Sequence, residues 1–84
     1  MKYYPVNLNI NGRNCLVVGG GGVASRKVKS LLDCGAKVTV VSPAFAETLQ
    51  KMADHPRVNL VQRPYAANDL DDMFLVIGAT DDMA

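Results

Sequence analysis

The sequence predicts an α/β fold in which a mainly parallel sheet of about four strands is flanked by helices on both faces. Short β-branched, apolar runs alternate with stretches whose apolar residues recur at helical spacing. This alternation is typical of strands that are connected by right-handed crossover helices. The length of 84 residues is enough for one domain and too short for two, so we expect residues 1–84 to form a single domain.

The elements are predicted from the order of these runs. The first strand covers residues 14–19 and ends in glycine, as expected for a strand that is buried on both faces. A helix at residues 23–34 is followed by Gly35, which can end it because glycine readily adopts a positive φ. Further strands are predicted at residues 37–41, 57–61 and 73–77, a short helix at 44–52, and an additional edge strand or hairpin arm at 4–10. Met73 and Phe74 are expected in the core.

Four consecutive glycines lie between the first predicted strand and the first predicted helix. In the motif Gly19-x-Gly21-x-x-Ala24, the first glycine permits a tight turn and the second lets backbone N–H groups approach a pyrophosphate. The alanine lets the helix pack close to the strand, and the helix N-terminus adds free N–H groups and its positive dipole end. The run therefore predicts a Rossmann-like half-domain that binds NAD(P). The predicted pyrophosphate contacts are Gly19, Gly20, Gly21, Gly22, Val23 and Ala24.

The residues after the second strand bear on which nucleotide is bound. No Lys-Ser or Lys-Thr pair follows the glycines at the spacing of a nucleoside-triphosphate loop, so ATP and GTP are disfavoured. The carboxylate that usually grips the adenosine ribose is missing, and Ser42, Pro43 and Ala44 occupy its place. Ser42 could make one hydrogen bond to the ribose, and backbone groups near Pro43 and Ala44 could make others. Because no arginine stands there to accommodate a 2′-phosphate, NAD is favoured over NADP.

The fourth predicted strand is followed by only a few residues. A parallel sheet needs helical cover, and a dinucleotide-binding domain normally has two βαβαβ halves, of which this sequence contains one. The domain is therefore expected to be incomplete, either because the chain is a fragment or because a second copy covers the exposed surface. The open edge and face are expected to drive self-association, so we predict a homo-oligomer.

Composition argues against several other classes. The formal net charge is +1 and the charged residues are scattered, so no partner nucleic acid is expected. We see no signal peptide and no apolar stretch long enough to span a membrane. Cys15 and Cys34 are interpreted as buried, reduced thiols of a cytoplasmic protein. His55 is the one histidine and is distant from both cysteines in the sequence, so no metal site is expected.

Several segments together resemble one protein family. They are Pro5-Val6-Asn7-Leu8, Cys15-Leu16-Val17-Val18-Gly19-Gly20-Gly21, Val23-Ala24-Ser25-Arg26-Lys27, Gly35-Ala36-Lys37-Val38-Thr39-Val40-Val41-Ser42-Pro43 and Ala79-Thr80-Asp81-Asp82. They resemble the N-terminal NAD-binding domain of siroheme synthase, in the precorrin-2 dehydrogenase and sirohydrochlorin ferrochelatase family. The resemblance covers essentially the whole chain, and the glycine run that leads into Val-Ala-x-Arg-Lys is much more specific than the glycines alone.

The resemblance implies an NAD-dependent oxidation of precorrin-2 to sirohydrochlorin, a step toward siroheme. Some members of the family also insert ferrous iron into the product. In the family the cofactor is held by the glycine loop and by the turn after the second strand, which correspond here to Gly22-Val23 and Pro43-Ala44. Thr80 would contribute at the carboxyl end of the fourth strand, where such sheets bind ligands.

The sequence departs from the family pattern at its end. The family aspartate implicated in catalysis belongs to an Asn-Val-x-Asp segment that would follow Ala84, and the dimerisation segment and helical C-terminal part are missing too. The catalytic residue is therefore unassigned, and Asp81 is the remaining candidate. Asp81 and Asp82 could move protons or bind a metal, or could equally form the N-cap and acidic first turn of a helix.

Two other interpretations stay open. Arg26 and Lys27 could meet the carboxylates of a tetrapyrrole, or could belong to a solvated helix face. The chain could also be a non-catalytic NAD-binding domain, either a regulatory nucleotide sensor or a remnant that acts by assembling with a partner. A nucleotide sensor usually has an acidic residue where this chain has Ser42, which favours the enzyme.

Overall fold

The computed structural model describes residues 9–79. Its elements are β1 (Asn14–Val18), α1 (Gly22–Asp33), β2 (Lys37–Ser42), α2 (Glu47–Gln50), β3 (Val58–Gln62), a 3₁₀ helix (Ala67–Leu70) and β4 (Leu75–Gly78). Strands and helices alternate along the described chain, which confirms the predicted α/β class. Within residues 9–79, no helix has the length and apolar character that crossing a membrane requires.

The four strands form one parallel sheet in the order β3-β2-β1-β4. β1 lies inside the sheet, and its Val17 pairs with Val40 of β2 on one side and with Ile77 of β4 on the other. The chain therefore adds β2 and β3 in one direction and then returns to place β4 on the opposite side of β1. This reversal creates a switch point between β1 and β4. The predicted Rossmann-like half-domain with four parallel strands is confirmed.

One face of the sheet packs against both α-helices. The apolar residues of α1 recur at helical spacing, so they share the side of the helix that faces the sheet. Each strand contributes alternate residues, because successive side chains along a strand point to opposite faces. This core contains Cys15, Val17, Val38, Val40 and Val58 from the strands, Ala24, Val28 and Leu31 from α1, and Leu49 from α2.

The other face of the sheet is buried at its centre as well. Leu16 of β1 and Val41 of β2 belong to this face and are 0% and 1% exposed. Right-handed crossovers place α1 and α2 on the same face, so the reversed connection from β3 to β4 must cross the opposite one. This connection contains the 3₁₀ helix. Two α-helices therefore cover one face, and the connection that crosses the other contains a 3₁₀ helix none of whose residues is buried.

Two side chains expected in the core are exposed. Cys34 is the C-cap of α1 and is exposed, whereas Cys15 in β1 is buried, and this burial raises the pKa of its thiol. Phe74 is 46% exposed because it precedes β4 at the edge of the sheet, where the Arg13 guanidinium lies over its ring at 4.7 Å from the centroid. The expectation of two buried thiols is therefore wrong, and so is the placement of Phe74 in the core.

Some predicted boundaries also change. The helix predicted at residues 44–52 is shortened to α2, because residues 43–46 form a turn whose Ala46 N–H donates to the Gly20 carbonyl over 2.7 Å. The predicted edge strand at residues 4–10 lies mostly outside the described residues, and Asn9 and Ile10 are not in a strand.

A complete Schellman motif closes the C-terminus of α1. The Ala36 N–H donates to the Leu31 carbonyl over 3.1 Å, and the Gly35 N–H donates to the Leu32 carbonyl over 2.9 Å. Gly35 has a φ of +83°, as predicted for the residue that ends this helix. Its carbonyl accepts the N–H of Gly12 at 2.9 Å, so the turn before β1 is fixed to the end of α1.

We expect Gly35→Ala to destabilise the fold more than Gly12→Ala. Both glycines have a positive φ (+83° and +75°). A side chain therefore costs about 1 kcal/mol at either position. At Gly35 the added Cβ would also overlap the side-chain oxygen of Asn11, whereas at Gly12 it would meet nothing within 4 Å. Because the exposed Asn11 side chain can rotate, urea denaturation should show a free energy of unfolding that is lower by only roughly a further 0.5 kcal/mol for Gly35→Ala. Equal losses in the two variants would contradict a steric role for this contact.

Candidate functional site

The predicted site residues meet at the carboxyl edge of the sheet. The glycine loop (residues 19–22) follows β1, and the β2 turn (residues 42–46) lies next to it. The Gly19 N–H donates to the Val41 carbonyl over 3.0 Å, so the start of the glycine loop is tied to the end of β2. The two predicted parts of the site therefore form one continuous surface.

The end of β4 lies on the other side of the glycine loop. The Ala79 N–H donates to the carbonyl of Val18, the last residue of β1, over 2.9 Å. The loop thus sits at the switch point, where open α/β sheets bind ligands. Two further predicted residues, Thr80 and Asp81, follow Ala79 directly and lie outside the described residues.

The first two glycines of the loop are required for different reasons. Gly19 has a φ of +130°, a conformation that other residues rarely adopt, and this agrees with the predicted tight turn. A Cβ on Gly20 would overlap the carbonyl oxygen of Ala44 and would lie 2.8 Å from the Ser42 hydroxyl oxygen. The Gly20 carbonyl in turn accepts the Ala46 N–H. In the motif Gly19-x-Gly21-x-x-Ala24, position 20 can be any residue, so the motif gave Gly20 no role of its own. The presence of a glycine at this unspecified position was the only sign in the sequence of the close contact with Ala44.

The N-terminus of α1 is open. Gly21 is its N-cap in an extended conformation, no side chain caps the helix, and no acidic residue lies in its first turn. Gly22 is exposed, and a Cβ added to it would meet nothing within 4 Å. The first N–H groups of a helix have no partner inside it, so those of Gly22 and Val23 are free to bind an anion. Ala24 is 0% exposed, which agrees with its predicted role in close helix packing.

Two hydroxyl groups link α2 to the glycine loop. The Gly21 carbonyl accepts the Ser25 N–H at 3.1 Å and the Ser25 hydroxyl at 3.3 Å. The Thr48 hydroxyl oxygen lies 2.5 Å from the Ser25 hydroxyl oxygen. Because Ser25 donates its hydroxyl hydrogen to the Gly21 carbonyl, Thr48 is the donor in the bond between the two hydroxyls. The Gly21 carbonyl is thereby held toward α1 and away from the open end. Sequence reasoning missed this link because the two hydroxyls belong to different helices.

The β2 turn presents backbone more than side-chain groups. Ser42 is 8% exposed, and its hydroxyl oxygen accepts the Ala44 N–H at 3.4 Å. Pro43 and Ala44 are exposed, and the Pro43 carbonyl accepts an N–H of the Gln62 amide at 3.2 Å. Of the three predicted ribose contacts, Pro43 and Ala44 are therefore accessible to a ligand. The Ser42 hydroxyl oxygen instead accepts a hydrogen bond from within the turn.

The β2 turn itself contains no arginine, as the sequence indicates, but the backbone of one lies beside it. Parallel pairing of β2 and β3 brings Gln62 opposite Ser42, and the N–H of the next residue, Arg63, donates to the Ser42 carbonyl over 3.0 Å. The Arg63 guanidinium donates to both carboxylate oxygens of Asp69, one of them at 2.8 Å. The same carboxylate accepts the Ala66 N–H at 2.8 Å. The bonds from Arg63 and then from Ala66 lower the pKa of Asp69 to about 2.

The remaining predicted candidates lie on α1 and in the turn before β3. Arg26 and Lys27 are exposed on α1. The Nδ1 atom of His55 accepts the Arg57 N–H at 3.0 Å in the turn before β3. In the part of the chain that the structure describes, no three His, Cys, Asp or Glu side chains are grouped so that they could hold a metal ion.

A glycine loop at a switch point, an open helix N-terminus and an adjoining turn define a nucleotide-binding domain of the α/β class. Comparison with known proteins gives the family. Residues 6–84 match a family described as NAD(P)-binding, and the chain belongs to this family.

The chain is also similar to siroheme synthases. It is 46% identical to that of Nitrosococcus oceani over 82 residues, which cover 98% of this chain and 18% of the relative. It is 43% identical to that of Escherichia coli O1:K1 over 84 residues, or 100% of this chain and 18% of the relative. A solved structure, "SirC, precorrin-2 dehydrogenase", matches with a TM-score of 0.85 and 34% identity, over 95% of this chain and 40% of that one. The chain thus spans less than a fifth of these siroheme synthases, and the family resemblance found in the sequence is confirmed.

We expect the Arg63–Asp69 pair to loosen in acid. The pKa of Asp69 in the folded chain, about 2, lies below its ordinary value of 3.8. The pair therefore contributes stability above a pH of about 4, and this contribution is lost as the pH falls through about 2. The Ala66 amide signal should report the change in an NMR titration, because its N–H bonds to the carboxylate. Its midpoint should lie near the lower value and rise in Arg63→Gln. A midpoint near 3.8 in the unmodified chain would contradict the ion pair.

Proposed function

We propose that the glycine loop binds the pyrophosphate of NAD, and that the protein serves the oxidation of precorrin-2 to sirohydrochlorin in siroheme biosynthesis. The proposal rests on the geometry of the loop, in which Gly20 packs against Ala44 and leaves the N-terminus of α1 open at the switch point. Its likeness to siroheme synthases and to the structure named precorrin-2 dehydrogenase supports this choice of reaction.

The described residues fit a pyrophosphate. The start of α1 offers unpaired N–H groups and the positive end of the helix dipole, with no carboxylate in the first turn to compete. The absence of any contact around a Cβ at Gly22 leaves room for phosphate oxygens. The proposed pyrophosphate contacts are Gly19, Gly20, Gly21, Gly22, Val23 and Ala24.

The β2 turn would hold the adenosine ribose. Pro43 and Ala44 are exposed and would supply backbone contacts, while Ser42 would fix the shape of the turn through its bond from the Ala44 N–H. Thr80, which follows Ala79 in the sequence, is proposed to complete the nucleotide site. The nicotinamide of bound NAD would accept the hydride that leaves precorrin-2.

Substrate binding and catalysis need further groups. We propose a tetrapyrrole, precorrin-2, as the substrate and the cytoplasm as the compartment. Asp81 is the candidate for proton transfer within this sequence, because it directly follows Thr80 in the sequence and has a carboxylate that can accept a proton. We propose ferrochelatase activity on sirohydrochlorin only for a protein that also contains the other segments found in siroheme synthases.

A non-catalytic NAD-binding role is the second candidate. Among the described residues, the groups gathered at the switch point are backbone N–H groups and hydroxyls, which bind a nucleotide but do not abstract protons at neutral pH. A regulatory or assembly domain would bind NAD and leave precorrin-2 unchanged. Formation of sirohydrochlorin, followed by absorbance, therefore separates this role from the dehydrogenase.

We expect Gly22→Asp to weaken NAD binding without unfolding the chain. The backbone at Gly22 is not in the positive-φ region and a Cβ there is free of contacts, so the variant should fold. A carboxylate at the first turn of α1 would stabilise the helix but repel the pyrophosphate. Calorimetric titration with NAD should show affinity weaker by at least about tenfold, or 1.4 kcal/mol.

Gly22→Asn is the matched control, since it has the same shape without the charge. It should keep most of the NAD affinity, and both variants should retain the circular dichroism of the unmodified chain. If a folded Gly22→Asp variant bound NAD as tightly as Gly22→Asn, the pyrophosphate would not lie at this helix end. Absence of NAD binding by the unmodified, folded chain would exclude the proposed function itself.

We further propose a homo-oligomer. β4 pairs with β1 alone among the described strands, and Phe74 and Val76 at this edge are 46% and 42% exposed. An unpaired strand edge with apolar side chains favours association with a second copy. Light scattering should give a mass above that of one chain that rises with concentration, and Val76→Lys should lower it. A strictly monomeric mass over a wide concentration range would rule the oligomer out.

A further inference from the structure

We propose that Asp69 sets a preference for NAD over NADP by holding the Arg63 guanidinium away from the ribose 2′ position. The inference rests on the proposed binding of NAD at the glycine loop. It starts from Arg63, the residue after β3, whose backbone the sheet places beside Ser42 at the end of β2.

The sheet register fixes Arg63 at the ribose end of the proposed site. Its N–H bonds to the Ser42 carbonyl at 3.0 Å, and the preceding residue, Gln62, bonds through its side chain to the Pro43 carbonyl at 3.2 Å. In dinucleotide-binding sheets, the residue at the end of the second strand contacts the ribose 2′-hydroxyl, and a nearby arginine accommodates a 2′-phosphate. The long side chain of Arg63 starts at this place and is 44% exposed.

Asp69 occupies the part of Arg63 that a phosphate would use. Two guanidinium nitrogens donate to the two carboxylate oxygens, the paired geometry with which arginine also binds phosphate. The carboxylate is itself held in place by the Ala66 N–H at 2.8 Å, so it is positioned at the start of the 3₁₀ helix to receive the guanidinium. A 2′-phosphate would have to displace Asp69 from Arg63 and would also face its negative charge.

The β2 turn offers no carboxylate of its own to repel a 2′-phosphate, since Ser42, Pro43 and Ala44 are all uncharged. The Ser42 hydroxyl is uncharged and 8% exposed, so it supplies no charge that would repel a 2′-phosphate. Discrimination against NADP therefore falls to the Arg63–Asp69 pair. Arg63 without its partner would have the charge and geometry for the opposite preference.

The test is the ratio of the dissociation constants for NAD and NADP, measured by calorimetry on the 84-residue chain. Asp69→Asn removes the charge but keeps an oxygen that can accept the Ala66 N–H. It should tighten NADP binding by at least about tenfold, as expected for a new bidentate contact, and change NAD binding by less than about twofold. Asp69→Ser is a second variant that removes the same charge with a smaller side chain, in case the first one does not fold.

Two controls separate this effect from net charge. Arg63→Gln combined with Asp69→Asn should return the ratio to that of the unmodified chain, because the freed cation is gone. Asp33→Asn makes the same charge change at the far end of α1 and should leave the ratio unaltered. A folded Asp69 variant that binds NAD but shows an unchanged ratio would overturn the inference and leave the proposed function standing. An equal gain in Asp33→Asn would overturn it too, and loss of NAD binding in every protein would overturn both.

Discussion

The approach of the glycine loop to the β2 turn at Gly20 determines the form of the whole candidate site. The Ala44 carbonyl lies where a side chain at Gly20 would be, and the Ala46 N–H closes the contact from the other side. Backbone therefore packs directly on backbone, which only glycine permits. Because the two segments are fixed together, the open end of α1 and the exposed backbone of Pro43 and Ala44 have one geometry relative to each other.

This contact can form only because β1 is an interior strand. Its pairing with β2 brings the ends of the two strands level, and its pairing with β4 creates the switch point on the other side. Burial of Leu16 and Val17 on opposite faces holds β1 in this position, at about 1.5–3 kcal/mol for each large apolar side chain removed from water. The Ser25–Thr48 link then ties α2 to the same loop. The geometry of the candidate site therefore depends on the same strand pairing and burial that hold the core together.

Local sequence signals gave the fold and the glycine loop. The β-branched runs, the spacing of Gly19, Gly21 and Ala24, and the helix end at Gly35 depend on near neighbours in the chain, so they could be predicted. The contact of Gly20 with Ala44 and the neighbourhood of Arg63 could not, because both depend on the strand order in the sheet. The placement of Phe74 failed for a related reason, since an apolar run does not reveal that its strand lies at the edge.

The Arg63–Asp69 pair shows how a missing residue at one strand end can be replaced from the next strand. A carboxylate at the end of β2 would choose between nucleotides by a direct contact with the ribose. Here a carboxylate from the 3₁₀ helix acts on the cation that the neighbouring strand supplies. Because the pKa of Asp69 is about 2, the carboxylate stays ionised near neutral pH, and titration frees the arginine only in strong acid. The sign of the preference therefore depends on the geometry of the crossing segment, which a search for an acidic residue after β2 would not detect.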